Sequence, residues 1–399
     1  MKKCSLLFSV LAICFCLIMP IAEAAKNSEP VLKVLVGSGS SAKITVNAAC
    51  ELLDTDRKKV IGKEKAGSLL TISKQGNQLL VNGKPVTAKR VEVKSTGKAI
   101  VRVNGKAYRG GMIFQTEGQK LNFINLVGLE DYIRGVVPEE MSESWPAEAL
   151  KAQAVAARTF ALYTKDEEKH SGYDLCSSTH CQAYGGVDSE AASVNAAVDA
   201  TRGEILQYAG KVIYAAFHSD SGGYTANSEE VWGGRQPYLR SVKDDTTGAP
   251  HNKWQENYTL REVEDLLRDN GYYVGKLNKI TLTPLKIGAG KTADRSESGR
   301  VQSVRFDGNK GTVTLTGNTM RSVFDLSSTL FDIRLSTEKK WGREHKIGKT
   351  GSLNIVFEGH GWGHGLGMSQ WGAKIMSAKN NYQAILKHFY TKIDIRKMY

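Results

Sequence analysis

Two periodicities divide the chain. From Val31 to about residue 120, apolar and polar residues alternate in short runs, among them Val31–Val36, Ala42–Val46, Gln78–Val81 and Ala99–Val103. That is the period-2 pattern of half-buried strands. Asn82-Gly83 and Asn104-Gly105 lie between such runs and predict tight hairpins, because Asn-Gly suits turns whose central residues need positive φ. From Ala147 to Tyr163 the period becomes helical: Ala149, Ala152, Ala156, Phe160 and Tyr163 fall on one stripe. So many alanines predict close backbone packing, hence a buried helix. Trp145-Pro146 would open it, with Ser144 a candidate cap.

The rest of the chain reads in the same way. A short helix is predicted over Leu129–Arg134, and residues 166–186 form a loop. Ser189 is expected to cap a second alanine-rich helix ending at Gly203, followed by a hairpin around Ala209-Gly210. Thr259-Leu260-Arg261-Glu262 is a capping box for a helix that stops at Gly271. Residues 279–334 return to strands, and 369–377 and 382–390 read as closing helices. Strands outnumber helices, and the helices do not alternate with strands as in a wound sheet. The fold class is α+β: a β-rich N-terminal segment at 25–115, then a mixed domain at 116–399 around the alanine-rich helix.

Residues 1–24 stand apart. Lys2 and Lys3 precede an apolar run from Leu6 to Met19, and Ala22-Glu23-Ala24 offers a small-residue cleavage site. This reads as a signal peptide cleaved near Ala24, with an uncleaved anchor as the alternative; any membrane association would run through this segment. The formal net charge of +13 suits an exported protein that meets an anionic polymer. Nucleic acid is not indicated, since the lysines are scattered and no nucleic-acid motif is visible. Past the leader only Cys50, Cys176 and Cys181 remain.

Four stretches could carry chemistry. Glu139 and Glu140 stand just ahead of the alanine-rich helix, either as a general acid at its mouth or merely as complements to its positive end. His170, Cys176, His180 and Cys181 have the thiolate and imidazole donors that suit zinc; a Cys176–Cys181 disulfide is the competing reading. His360 and His364 share a loop with three glycines, which argues against a helical zinc-protease motif. Ser219 and Ser221 lie beside His218, but no nucleophile elbow surrounds them.

Taken together, VVPEEMSESWPAEALKAQAVAARTFAL at 136–162, DLCSSTHCQAYGG at 174–186, AAFHSDSGGYTANSEEVWGG with PYLRSVKDD at 215–245, and GHGWGHGLGMSQWGA at 359–373 resemble the SpoIID/LytB family. The resemblance implies an exported lytic transglycosylase in sporulation (engulfment) or cell-wall remodelling. It would cut the MurNAc–GlcNAc bond of peptide-stripped glycan strands and leave a 1,6-anhydro end. The glutamate before the methionine, here Glu140, would be the acid. His170, Cys176 and Cys181, with His180 beside the last, match positions that hold structural zinc in some members. Gln153, Ser221, Tyr224, Trp362, His364 and Gln370 are candidates for binding the glycan, with Trp371 as a further stacking surface. The other branch of the family implies a non-catalytic wall-binding enhancer of a cell-wall amidase. A zinc amidase on His360 and His364 is a third reading.

Overall fold

The computed structural model describes residues 28–95, 97–167, 170–348 and 353–399. The leader, with its proposed cleavage site, lies outside the described residues. Among the described residues no helix is long and apolar enough to cross a membrane.

The fold is α+β. Between Val31 and Gly128 the alternating pattern folds into two sheets. The larger is centred on Val31–Gly39, Lys120–Gly128 and Gly111–Glu117; the smaller on Ser41–Val46 and Leu69–Gln75. Asn82, Gly83, Asn104 and Gly105 all have positive φ, as the two hairpins require. The short strand Leu175–Cys176 joins the edge of the larger sheet, pairing in parallel with Val34 and Leu35. The N-terminal sheet therefore holds the cysteine loop in place.

Among the described residues seven helices follow: α1 (Leu129–Glu140), α2 (Ala147–Glu167), α3 (Ala192–Ala200), α4 (Leu260–Asp269), α5 (Gly317–Val323), α6 (Gln370–Met376) and α7 (Tyr382–Phe389). The alanines of α2 beyond Ala147 are buried, as expected, and the helix packs against α1, α3, α6 and α7. One apolar core joins the strands to these helices: Leu32, Val34 and Phe114 share it with Tyr132, Ile133, Val155, Ala156, Ile385 and Phe389. Residue 115, where the sequence divides the segments, lies inside the strand Gly111–Glu117. Within this core Arg158 and Glu130 form a fully buried ion pair at 2.7 Å.

Three local expectations need correction. The first helix does not stop at Arg134 but runs to Glu140, with Pro138 inside it. Proline removes its own N–H and the helix ends soon after, so the cost is confined to the last turn. Ser144 does not cap α2; its hydroxyl pairs with that of Ser142 at 2.9 Å, and the Pro146 carbonyl accepts the first helical bonds. Ser189 does not cap α3, which starts after Ala191. The capping box at Thr259 and Glu262 forms as read.

A separate apolar core also emerges, one with no counterpart in the sequence reading. Val263, Leu267, Ile280, Phe306, Phe324, Ile333, Ile355 and Phe357 belong to it, and none is part of the larger core. It is an inserted lobe. Trp254–Thr259, Asn354–Gly359 and Phe331–Leu335 make one of its sheets, and Leu277–Thr281, Ser303–Gly308, Gly311–Thr316 and Glu344–Lys346 the other. The helices α4 and α5 cover them.

Candidate active site

Glu140 closes α1, and that placement changes its electrostatics. The acid sits at a helix C-terminus, where unpaired carbonyls carry partial negative charge and oppose ionisation. The sequence had suggested the positive end of the following helix instead. Burial pushes its pKa above the usual carboxylate value; a hydrogen bond from Gln370 pulls the other way, and the charge of Glu139 adds to the rise. Gln370, on the first turn of α6, donates its amide N–H to Glu140 Oε2 at 3.0 Å. Glu139 is exposed and accepts a hydrogen bond from Ser189.

Glu140 faces a cleft of about 540 Å³. Gln370, Trp362 and His364 line it, so three of the six glycan-binding candidates meet the acid. Trp362 is 45% exposed, its ring backed by His251 at 4.4 Å between centroids. His364 presents its ring but not its nitrogens: Nε2–H donates to the Phe217 carbonyl and Nδ1 accepts from the Leu366 N–H, each at 3.0 Å. Burial brings its pKa down to about 4, so it is neutral in the working range. His360 is committed to the Asn252 carbonyl at 2.8 Å. Among the described residues these two histidines belong to no metal-type cluster.

The other three candidates lie elsewhere. Gln153 is fully buried in α2, with no hydrogen bond to its side chain among the described residues. The Ser221 hydroxyl is buried and donates to Asp244 Oδ2 at 2.6 Å. Burial raises that aspartate to about 6. Tyr224 packs beside Gly288, where any added Cβ would meet its ring at 2.5 Å. Trp371 packs edge-on against Trp145, with the Lys374 ammonium 4.2 Å above its ring. Ser221 is thus framework, whereas Ser219 lines the cleft, its carbonyl accepting the Trp371 N–H at 3.0 Å.

The metal-type loop forms another wall of the same cleft, through Thr179, His180, Cys181 and Gln182. His170, His180 and Cys181 bring their donor atoms within 4.8 Å of one another. The two sulfurs of Cys176 and Cys181 are 3.2 Å apart and unbonded. Cys176 Sγ lies 3.8 Å from His180 Nδ1, and Cys181 Sγ lies 3.7 Å from His170 Nε2. Bonds of about 2.3 Å to sulfur and 2.0 Å to nitrogen place tetrahedral donors about 3.5–3.8 Å apart; His170, His180 and Cys181 are compatible with that spacing, and Cys176 lies beside them but outside the group. Burial raises the Cys176 thiol, but hydrogen bonding to Ser178, Cys181 and His180 outweighs it and brings the group to about 7.

Among the lining residues that the sequence reading did not single out, two stand out. Trp232, 47% exposed, stands between Tyr214 and His364 with centroids 5.3 and 5.1 Å away. A tryptophan in a glycine-rich loop was the available signal. Arg321 reaches the cleft from α5 of the inserted lobe, and nothing in its neighbourhood along the chain marks it.

The Stage II sporulation protein family, SpoIID, matches residues 117–208, which contain Glu140 and the cysteine loop; a domain of unknown function, DUF8618, matches 245–367, the inserted lobe. Stage II sporulation protein D of Bacillus subtilis is 30% identical over 303 residues, covering 71% of this chain and 78% of that one. This chain belongs to the SpoIID/LytB family. An amidase enhancer of Bacillus subtilis is 32% identical over 285 residues, 65% of this SpoIID/LytB chain but only 39% of the enhancer. An uncharacterized protein of Brachyspira hyodysenteriae is 34% identical over 296 residues, 73% of each chain.

Proposed function

We propose that this SpoIID/LytB protein is an exported lytic transglycosylase. It cleaves the MurNAc–GlcNAc bond of peptide-stripped glycan in sporulation or cell-wall remodelling, with Glu140 as the general acid and base. The observation that carries the reading is a count of carboxylates. Among the described residues Glu140 is the only one lining the cleft, and its environment favours the protonated form. A common glycoside hydrolase needs two carboxylates flanking the bond, one of them activating water or attacking the sugar. A transglycosylase needs one, because the 6-hydroxyl of MurNAc is the nucleophile.

The steps balance on this single group. Protonated Glu140 gives its proton to the glycosidic oxygen as the C1–O bond breaks. The 6-hydroxyl then bonds to C1, and its proton returns to the Glu140 carboxylate. Gln370 holds Oε2 throughout, fixing the carboxyl plane toward the cleft. Trp362 and Trp232 offer exposed ring faces for sugars. His170, Cys176, His180 and Cys181 would hold zinc, whose role when bound is to fix the loop that walls the cleft. No proton or bond is routed through it.

The likeness to an amidase enhancer supports a second reading: a wall-binding protein that stimulates a partner amidase without cutting glycan itself. One digest separates the two. The purified protein is incubated with amidase-stripped peptidoglycan beside Glu140→Gln, and the products are read by mass spectrometry. The expected result is 1,6-anhydro ends from the wild type and at least a ~100-fold loss in the variant, the usual scale for a general acid. Reducing ends would indicate a hydrolase. Binding without release would establish the enhancer.

A further inference from the structure

Arg321 is a cation with no ion-pair partner among the described residues. It lies near the end of α5, and its Nε–H donates to the Leu326 carbonyl at 3.2 Å, which fixes the direction of the guanidinium. Leu326 in turn donates its backbone N–H to the Arg321 carbonyl at 3.0 Å, so the turn is closed from both sides. Neither terminal nitrogen hydrogen-bonds to a described residue, and no described carboxylate lies within ion-pair distance. The side chain is half-buried, and burial pulls its pKa down. Withdrawing a guanidinium from water without a partner is costly, and the cost is recovered when an anion arrives. Arg321 lines the wall of the cleft that Glu140 shares. Around it stand His364 and His218, both held neutral by burial; the one carboxylate that acts on its charge, Asp325, makes no ion pair or hydrogen bond with it among the described residues.

We infer that Arg321 forms an anion subsite for the free lactyl carboxylate of a muramic acid residue, and so selects glycan whose stem peptides have been removed. This rests on the proposed glycan-cleaving function and adds to it the basis of substrate choice. In intact peptidoglycan the lactyl carboxyl is tied up in an amide bond to the stem peptide. It carries no charge there, and a peptide follows it. Amide cleavage frees a carboxylate, which can accept two N–H bonds from the terminal nitrogens of a guanidinium as a fork. The reaction that supplies this substrate is therefore hydrolysis of the lactyl–peptide amide.

The test compares three soluble tetrasaccharides: stripped muramyl glycan, the same glycan with its lactyl carboxyls converted to methylamides, and a chitotetraose without lactyl groups. Binding is measured by calorimetry in a Glu140→Gln background, which prevents turnover, with and without Arg321→Gln. The carboxylate glycan is expected to bind roughly 10- to 100-fold more tightly than its methylamide, the range for a hydrogen bond to a charged group. Arg321→Gln should bring that ratio to near one while leaving methylamide and chitotetraose affinities unchanged. Arg321→Lys should keep part of the preference, which also shows that the site is intact. A preference that survives Arg321→Gln, or none in the parent protein, overturns the inference. Because the readout is binding, a protein that releases no anhydro ends would defeat the proposed function and leave this question separately answerable.

Discussion

The two cores of the molecule treat charge in opposite ways. In the larger one the buried or half-buried arginines meet carboxylates: Arg158 pairs with Glu130, and Arg109 forks onto Glu190. The inserted lobe also has an internal pair, Arg295 with Asp332 at 3.1 Å. Where it faces its host, however, it presents lone cations. Arg300 is 1% exposed and donates to the Ser221 carbonyl at 2.7 Å and the Tyr224 carbonyl at 3.3 Å, with no carboxylate partner among the described residues. Arg321 has the open cleft before it. Paired charge fixes the host; unpaired charge joins the lobe to backbone carbonyls and to whatever enters the cleft.

Breaking a pair in the host should have the largest effect. Arg158→Met leaves Glu130 buried without its cation, with only Tyr399 and the Gly203 N–H to hold it. A loss of about 3–5 kcal/mol is expected in denaturant unfolding. Arg300→Met should cost less, about 1–3 kcal/mol, because it strands two carbonyls but no opposite charge. Its signature should be local, with faster amide exchange in 219–225 and 360–366 and little change in α2. Equal losses in both variants, or exchange spread through α2, would remove the distinction.

The smallest effect tests the acid itself. The folded-state pKa of Glu140 is raised, so the native protein binds this proton more tightly than the unfolded chain does. Its contribution to stability is complete below the ordinary value of 4.5 and is lost as pH rises through the raised value. Glu140→Gln cannot ionise. It should therefore be more stable than wild type in urea at pH 7, with the difference closing as pH falls below 4.5. A buried acid that weakens the fold at neutral pH is the kind of group a functional site retains. A gap that widened on acidification would refute the raised pKa.

How much of this was legible follows the same division. The hairpins at Asn82-Gly83 and Asn104-Gly105, the buried face of α2 and the box at Thr259 are local rules, and local sequence carried them. The four metal-type residues could be singled out because histidines and cysteines stood close together, and Glu140 because of the motif that it shares with the SpoIID/LytB family. Ser221 and Gln153 misled because a polar residue in a motif can serve the framework as readily as a ligand; only burial separates the cases. Arg321 was invisible because its meaning comes from the cleft it enters, and that cleft is assembled by chain folding. The lobe was missed for a related reason: its strands resemble those of the host in pattern, and a separate core is a property of contacts.

The neck of that lobe has a further consequence. The strand that enters it, Trp254–Thr259, and the strand that leaves, Asn354–Gly359, pair antiparallel along their whole length, Trp254 opposite Gly359 and Thr259 opposite Asn354. Chain ends held side by side make an insertion that its host scarcely registers, since closing the gap needs only a short bridge. The lobe is in that sense a cassette. A descendant could lengthen it, shrink it or exchange it and so change which strands are admitted, while the glutamate and the loop opposite stayed as they were.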